Sequence, residues 1–543
     1  MRCNTASWKP RTGRALQRLL AGTARHSATG LFIGATLLVF VQSYRRHLWF
    51  GSGGRDLGLF HQSVWLLSRL AAPRNTILGM SAFADHMELI DLVLAPSQWF
   101  WPDATALLFV QALAVASGAA AIADLATRKL ASRSTGVALG LAYLFAIDMQ
   151  HAVMFDWNPT TLAAGFLPWV GWSFALGRRR VFVLALLGVA LCKENLVLHA
   201  LGLCLALGLE ARHRPSDTSS SPDALARSGV RSCAAPSLAA ADAWIAAVAL
   251  ALVFVVEMAV VFPLVRAGGF RHWRYEELGA TPGAMARAIV RTPGRALALL
   301  VTPSEKAAGI LAPWLGTAFL PLLAPRYLLA LAPGLLERFW STHANRWWGY
   351  YYGAPTVALL ALATIDVLGQ LAACAATPPS SRPGGLSAAS VRSRSFLPPR
   401  FRRGAVIVLA LLVLVCTLAV SMTLRGGPAP LLAARYGHHA SLSDRDDAVR
   451  ALAVIPADAT VAAQNHLIPH LSARREIRDL GRPIVADYVA LHFGQGTWPF
   501  APGYPQALAR QLLASGYGVG ACFGSAVVLQ RGAPVRPCQA LGL

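Results

Sequence analysis

Five groups of polar residues stand out in an otherwise apolar chain. The first is Arg55, Asp56 and His61. The second is Asp85-His86, with Glu88 close by. The third is His151, Asp156, Asn158 and Pro159. The fourth, Lys193-Glu194-Asn195, interrupts an apolar stretch. The fifth runs from His343 through Asn345, Arg346, Trp347 and Trp348 to the tyrosines Tyr350, Tyr351 and Tyr352. A carboxylate can take a proton from a reacting hydroxyl or hold a divalent cation. Basic side chains stabilise a developing anion, and aromatic rings stack on sugars. Each group also has a plainer reading. Loops in water carry charge. Lys193-Glu194 is equally suited to a structural ion pair or a helix junction, and the Trp/Tyr group to an aromatic belt at a membrane surface. Charge inside an apolar run is costly and usually functional, so the fourth group weighs most.

These residues need elements to hold them, and composition says which kind. Of 543 residues, 55% are hydrophobic and 14% charged, whereas a soluble domain carries about 25% charged residues. The mean hydropathy is +0.48. Stretches of ~20 apolar residues, enough to cross a bilayer, recur along the chain. The net charge of +23 invites a nucleic-acid reading, but the basic residues are clustered otherwise. Arg2 to Arg25 precede the first apolar run. Arg128, Lys129 and Arg133 lie between two runs, as do Arg178, Arg179 and Arg180. A further set from Arg382 to Arg403 fills a Pro/Ser-rich linker. Basic loops that alternate in this way set membrane orientation, and nucleic acid is not an expected partner. The eight cysteines form no CxxC pair and no zinc spacing. Cys192, Cys204, Cys374 and Cys416 suit small core positions. Cys522 and Cys538 can pair if their domain is outside the cytoplasm.

The expected fold is mainly α, a polytopic transmembrane bundle with a small C-terminal extracytoplasmic α/β domain. Residues 1–29 form a cytoplasmic basic tail. Residues 30–209 form a first membrane module with an outer loop at 44–103. A polar linker follows at 210–240, a second module at 241–376, a basic linker at 377–403 and a last passage at 404–424. The α/β domain takes 425–543. The passages number about eleven, an odd count that leaves the N-terminus inside and the C-terminus outside. The stripe Leu57, Phe60, Val64, Leu67 and Leu70 predicts a helix lying on the membrane surface. Residues 181–209 predict two short helices meeting at Lys193-Glu194-Asn195, the kind of broken helix that frames a binding site. No internal repeat is visible.

The segment from Arg55 to Trp65, RDLGLFHQSVW, resembles the signature G-R-Y-D-L-G-I-F-x-Q-x-x-W. Asp85-His86, Phe155-Asp156-Trp157-Asn158-Pro159, Lys193-Glu194 and Tyr350–Pro355 follow in similar order. So do Ile455-Pro456, Pro469-His470-Leu471-Ser472 and Ala486-Asp487-Tyr488-Val489. Together they resemble a bacterial family of polytopic membrane proteins of unknown function, which is similar in turn to the GT-C glycosyltransferases. The resemblance spans about residues 30 to 530 apart from the linkers. Asn158 stands where family members often have a histidine, which weakens a metal at that position.

The resemblance implies a multi-pass enzyme of the plasma membrane that takes sugar from a polyprenyl-phosphate donor and passes it to an acceptor on the outer face. Under that reading Asp56 is the expected base and Asp156 the second catalytic carboxylate. Arg55, His61, His86, Asn158, Lys193, Glu194, His343 and Arg346 are expected around the substrate. Cofactors stay open; a divalent cation, if used, falls to Asp56 and Asp156. Arg55 is expected to keep the Asp56 carboxylate ionised. Fold likeness does not fix function. A non-catalytic envelope scaffold and a transporter or flippase remain alternatives, the transporter disfavoured by the lack of repeated halves.

Overall fold

A computed structural model describes residues 12–212, 238–266, 272–373, 399–424, 441–481 and 483–542. The linkers expected at 210–240 and 377–403, and Cys374 with them, fall almost wholly outside the described residues.

Each apolar run forms a helix. Among the described residues, five are long and apolar enough to cross a membrane alone: His26–Leu48, Thr105–Leu130, Ala240–Val265, Tyr351–Ala373 and Gly404–Thr423. Arg133–Phe145 and Ile147–Phe155 make a sixth if that bent pair is one span. Shorter apolar helices lie at Pro159–Ala175, Arg179–Cys192, Leu196–Arg212, Ser304–Gly316 and Leu328–Phe339. A count of about eleven crossings therefore includes five helices of 12 to 17 residues, at or below the lower limit for crossing alone. Thr105–Leu130 is the central helix, with 78% of its most apolar window buried, against 22% for Ala240–Val265. The latter leaves Ile245, Val248 and Leu252 more than half exposed, a surface suited to lipid.

Local chemistry sets the breaks. The bent pair turns 52° at Ala146. The Phe145 carbonyl freed there accepts from the Gln150 side chain and the Ser421 hydroxyl, so no backbone acceptor is stranded in apolar surroundings. Asn158 caps the next helix, accepting from Thr160 N at 2.9 Å with Pro159 in the first turn. Extended backbone at Lys193 ends the Arg179–Cys192 helix, and Lys193-Glu194-Asn195 forms the junction that the sequence predicts.

Two expectations about the first module change. The first helix runs from Thr12 to Leu48, so residues 12–29 of the expected tail belong to it. The Arg55–Leu70 stripe does not lie on a membrane surface. It forms a π-turn, Gly54–Gly58, and a helix, Leu59–Ser68, with Leu57, Phe60 and Val64 buried. The polar face is occupied as well, because Gln62 Nε2 donates to the Arg475 carbonyl at 3.2 Å in the C-terminal domain. Leu70, the last residue of the stripe, is 94% exposed. A small hairpin follows, β1 (Arg74–Asn75) with β2 (Met80–Ser81).

The C-terminal domain is a five-stranded mixed sheet. Its strands are β3 (Val461–Ala463), β4 (Ile477–Asp479), β5 (Tyr488–His492), β6 (Tyr517–Phe523) and β7 (Ala526–Arg531), in the order β4-β3-β5-β7-β6. Of these, β3 and β4 are only three residues long. Leu442–Leu452 and Tyr504–Ala514 are its helices, and Val489, Val527 and Leu529 are buried within it. A disulfide joins Cys522 to Cys538 across a separation of 16 residues. Closing a loop of that size stabilises by about 3 kcal/mol. Cys522→Ser in the full-length protein is therefore expected to raise hydrogen exchange in β6 and β7. Unchanged protection would assign the bond no stabilising role.

The domain is seated against the bundle. The His470 ring stacks on His47 with centroids 4.1 Å apart. Ile468 fills the groove left by Gly54 and Gly58, where a Cβ would come within 2.6 and 2.8 Å of it. No side chain larger than hydrogen fits that approach without displacing Ile468.

Candidate functional site

The polar groups converge on one cavity of about 850 Å³. Its polar lining includes Arg55, Asp56, Asp85, His86, Glu88, Asn158, Lys193, Glu194 and Arg346. Its apolar lining includes Leu198, Phe254, Met258, Leu328, Leu329 and Leu336. Leu328 and Leu329 remain 46% and 42% exposed. A hydrocarbon chain suits the apolar lining, and a charged head suits the polar residues.

The loop that carries Asp56 is held from two sides. From the C-terminal domain, the Asn465 carbonyl accepts from Gly54 N at 2.7 Å. Asn465 Oδ1 accepts from the same amide at 3.0 Å. From the bundle, Asp156 Oδ2 accepts from Gly53 N at 2.8 Å, and its Oδ1 accepts from Arg46 at 2.7 Å. Asp156 is buried by these contacts and does not line the cavity. It positions the Asp56 loop.

Arg55 does not pair with Asp56. Its guanidinium reaches Asp479 of β4 at 2.8 Å and lies over the Trp498 ring. Asp56 also caps no helix, since neither the π-turn nor the following helix has a side-chain cap. Burial pushes the Asp56 carboxyl up to about 7; Asp156 nearby adds to the rise, and Arg46 and Lys193 oppose it. The expectation that Arg55 keeps it ionised is thus corrected. The arginine is engaged elsewhere, and desolvation dominates. A carboxylate near 7 is poised for general-base work at neutral pH.

Around Asp56 the other charges are arrayed. Glu194 accepts from His86 Nδ1 at 2.7 Å and from Met87 N at 3.1 Å. The Lys193 side chain makes no hydrogen bond or ion pair among the described residues. Burial pushes Glu88 well above the usual carboxylate range, with Lys193 opposing the shift. Arg346 donates to the Tyr275 hydroxyl at 3.1 Å and to the His272 carbonyl at 3.3 Å. Tyr351 and Tyr352 also line the cavity, joined through their hydroxyls at 3.2 Å.

Two expected residues join Asp156 outside the cavity. His61 is buried between Ser472 Oγ at 2.8 Å and Gln98 Oε1 at 2.9 Å, tying its helix to the C-terminal domain. His343 is exposed and faces away. Arg55, Asp56, His86, Asn158, Lys193, Glu194 and Arg346 do line it.

Among the described residues one group can share a metal ion: Asp85, His86 and His272, whose ligand atoms lie within 4.8 Å of one another. His272 Nε2 donates to Asp85 Oδ1 at 2.8 Å, and the two imidazoles stack at 4.0 Å. Burial lowers His272 to about 4, so it is neutral near pH 7, as a ligand imidazole must be. Asp56 and Asp156 are not part of this group. A mixed Asp/His₂ donor set fits a transition ion better than calcium or magnesium.

Sequence comparison finds a match over residues 46–522 to the family described as "Predicted membrane protein (DUF2079)". The chain belongs to this family. The DUF2079 match begins at Arg46, which holds Asp156, and ends at Cys522 of the disulfide. None of the curated proteins matches the chain in sequence. Solved structures similar to it include two of ArnT from Cupriavidus metallidurans. The one bound to undecaprenyl phosphate has a TM-score of 0.47 and 13% identity, covering 94% of this chain and 99% of that one. The apo form has the same score and coverage at 15% identity.

The DUF2079 cavity also holds residues that sequence reasoning missed: His272, Tyr275 and Glu337. The first two lie within the second module and outside the five polar groups. Glu337 had a signal. It is an acidic residue in an apolar run, the same criterion that singled out Lys193-Glu194, and it accepts from Asn195 at 2.7 Å.

Proposed function

We propose that this protein is a membrane glycosyltransferase that moves a sugar from a polyprenyl-phosphate donor to an acceptor hydroxyl. The observation that carries this reading is the mixed lining of the cavity. An unpaired carboxylate, Asp56, and the cations Lys193 and Arg346 share it with the apolar side chains Leu198, Phe254, Met258, Leu328 and Leu329. The acceptor oxygen attacks the anomeric carbon, and a new C–O bond forms. The bond from that carbon to the phosphate oxygen breaks, and the polyprenyl phosphate leaves with the electron pair. Asp56 takes the hydroxyl proton. Lys193 and Arg346 stabilise the charge gathering on the phosphate. Asp156, Arg46 and Asn465 fix the Asp56 loop, because small displacements of a catalytic group cost rate steeply. A divalent cation, if the reaction uses one, finds ligands at Asp85, His86 and His272.

The reaction belongs to the outer face of the plasma membrane under this reading. The alternation of basic loops supports it, as does a disulfide in the C-terminal domain, since such bonds persist in oxidising compartments. A reporter enzyme fused after residue 543 is expected to be active only in its extracytoplasmic form. Activity in its cytoplasmic form would reverse the orientation.

The function is tested by reconstituting the purified protein in liposomes with a polyprenyl-phosphate-linked hexose and an envelope acceptor fraction. Acceptor-dependent release of polyprenyl phosphate is the expected result. Movement of the intact donor between leaflets without release would favour the transporter. Inertness toward both pentose- and hexose-bearing donors would favour the scaffold.

A further inference from the structure

A second cavity, about 860 Å³ in volume, lies at the opposite end of the same helices. Asn158 begins the Pro159–Ala175 helix at the first cavity, and Trp169 and Trp172 border the second. Fourteen residues of helix separate Asn158 from Trp172, about 20 Å at 1.5 Å per residue. None of the residues assigned to sugar transfer reaches it.

Its chemistry divides into a fixed charge and a greasy wall. Asp124 is buried and accepts from Arg128 through Nε at 2.5 Å and Nη2 at 3.0 Å. It also accepts from Trp172 Nε1 at 2.7 Å. Trp169 Nε1 donates to Ser117 at 3.2 Å, and the two indoles meet edge to face at 5.1 Å. The guanidinium is therefore held in one orientation, with its remaining donors unspent. Arg178, at the rim, makes no ion pair among the described residues. Arg128 and Arg178 against Asp124 leave the cavity net positive. Phe32, Ala120 and Leu176 supply apolar wall beside the indoles.

We propose that this cavity binds one anionic glycerophospholipid. Its phosphodiester lies between Arg128 and Arg178, and its acyl chains lie along Phe32 and the indoles. Basic pockets between membrane helices recognise anionic headgroups in this way, and Trp prefers headgroup depth. A zwitterionic lipid brings its own cation to a site that is already positive and gains less. A free phosphate ester leaves the apolar wall uncovered.

Native mass spectrometry of the full-length protein in detergent tests this, with phosphatidylglycerol and phosphatidylcholine titrated separately. The parent is expected to retain one phosphatidylglycerol at roughly tenfold lower concentration than phosphatidylcholine. Arg178→Gln is a rim substitution that leaves the Asp124 pair intact. It should remove most of that preference, and Arg128→Gln with Arg178→Gln should remove all of it. Equal retention of the two lipids by the parent would overturn the proposal, as would an unchanged preference in both variants. Displacement of phosphatidylglycerol by millimolar glycerol 3-phosphate would make the site one for a soluble anion, and the lipid assignment would fall. None of these readouts depends on sugar transfer.

Discussion

Asp56→Asn is expected to lower the rate of acceptor-dependent transfer by ~10²–10⁴, the usual loss when a general base is removed. The substitution keeps shape and size. It breaks no cap and no ion pair, because Asp56 makes neither and Arg55 is bound to Asp479. Folding and donor binding should therefore be unchanged while the chemical step fails. The parent's pH profile carries the same signature. Burial first, then Asp156, raises the Asp56 carboxyl to about 7. Below that pH the group is protonated and cannot take the acceptor's proton. The rate should rise about tenfold per pH unit up to ~7 and level off above it. Asp56→Asn should lose this limb and run flat at its residual rate. Transfer equal to the parent's would remove Asp56 as the base. Asp156 would be a poor replacement, since it is buried behind the loop and satisfied by Arg46 and Gly53.

Lys193→Gln is expected to lower kcat by about 10²–10³, the scale seen when one group stabilising a developing anion is lost. Lys193 sits where two helices are interrupted, and it lines the cavity beside Glu88 and Glu194. It makes no ion pair of its own, so its charge is available to a ligand. The effect should differ in kind from that of Asp56→Asn. The lysine variant should bind polyprenyl phosphate more weakly, and the asparagine variant should not. Lys193→Arg keeps the charge in a broader, planar head and should recover part of the loss. If Lys193→Gln binds and transfers like the parent, the lysine only offsets its neighbouring carboxylates, and Arg346 is left as the phosphate's cation.

Membrane architecture was legible in the sequence because apolar runs and basic loops are strong, local signals. The break at Lys193-Glu194-Asn195 was legible for the same reason, as charge in an apolar run has few explanations. Residues around the cavity were harder, because a polar residue in a loop reads alike whether it faces a cavity or solvent. His61 and His343 were grouped with Asp56 and Arg346 by nearness in sequence. In the structure, however, His61 points at Ser472 and His343 at solvent. Asp156 carries the family-like motif yet serves the loop rather than the cavity. Its partners, Arg46 and Gly53, lie 110 and 103 residues away in sequence. The surface-helix reading of Leu57–Leu70 failed through the same blindness to distant contacts. An amphipathic stripe shows that a helix has two faces, and in this chain the second face meets the C-terminal domain.

The central claim is that the cavity holding Asp56 is where the lipid phosphate binds. The most direct measurement is photo-crosslinking with a polyprenyl phosphate bearing a diazirine on its first isoprene unit, followed by mapping of the labelled peptides. Labelling is expected at Phe254, Met258, Leu328 and Leu329, suppressed by unlabelled polyprenyl phosphate and weakened in Lys193→Gln. Labelling confined to other surfaces, or insensitive to both competitor and substitution, would contradict the account.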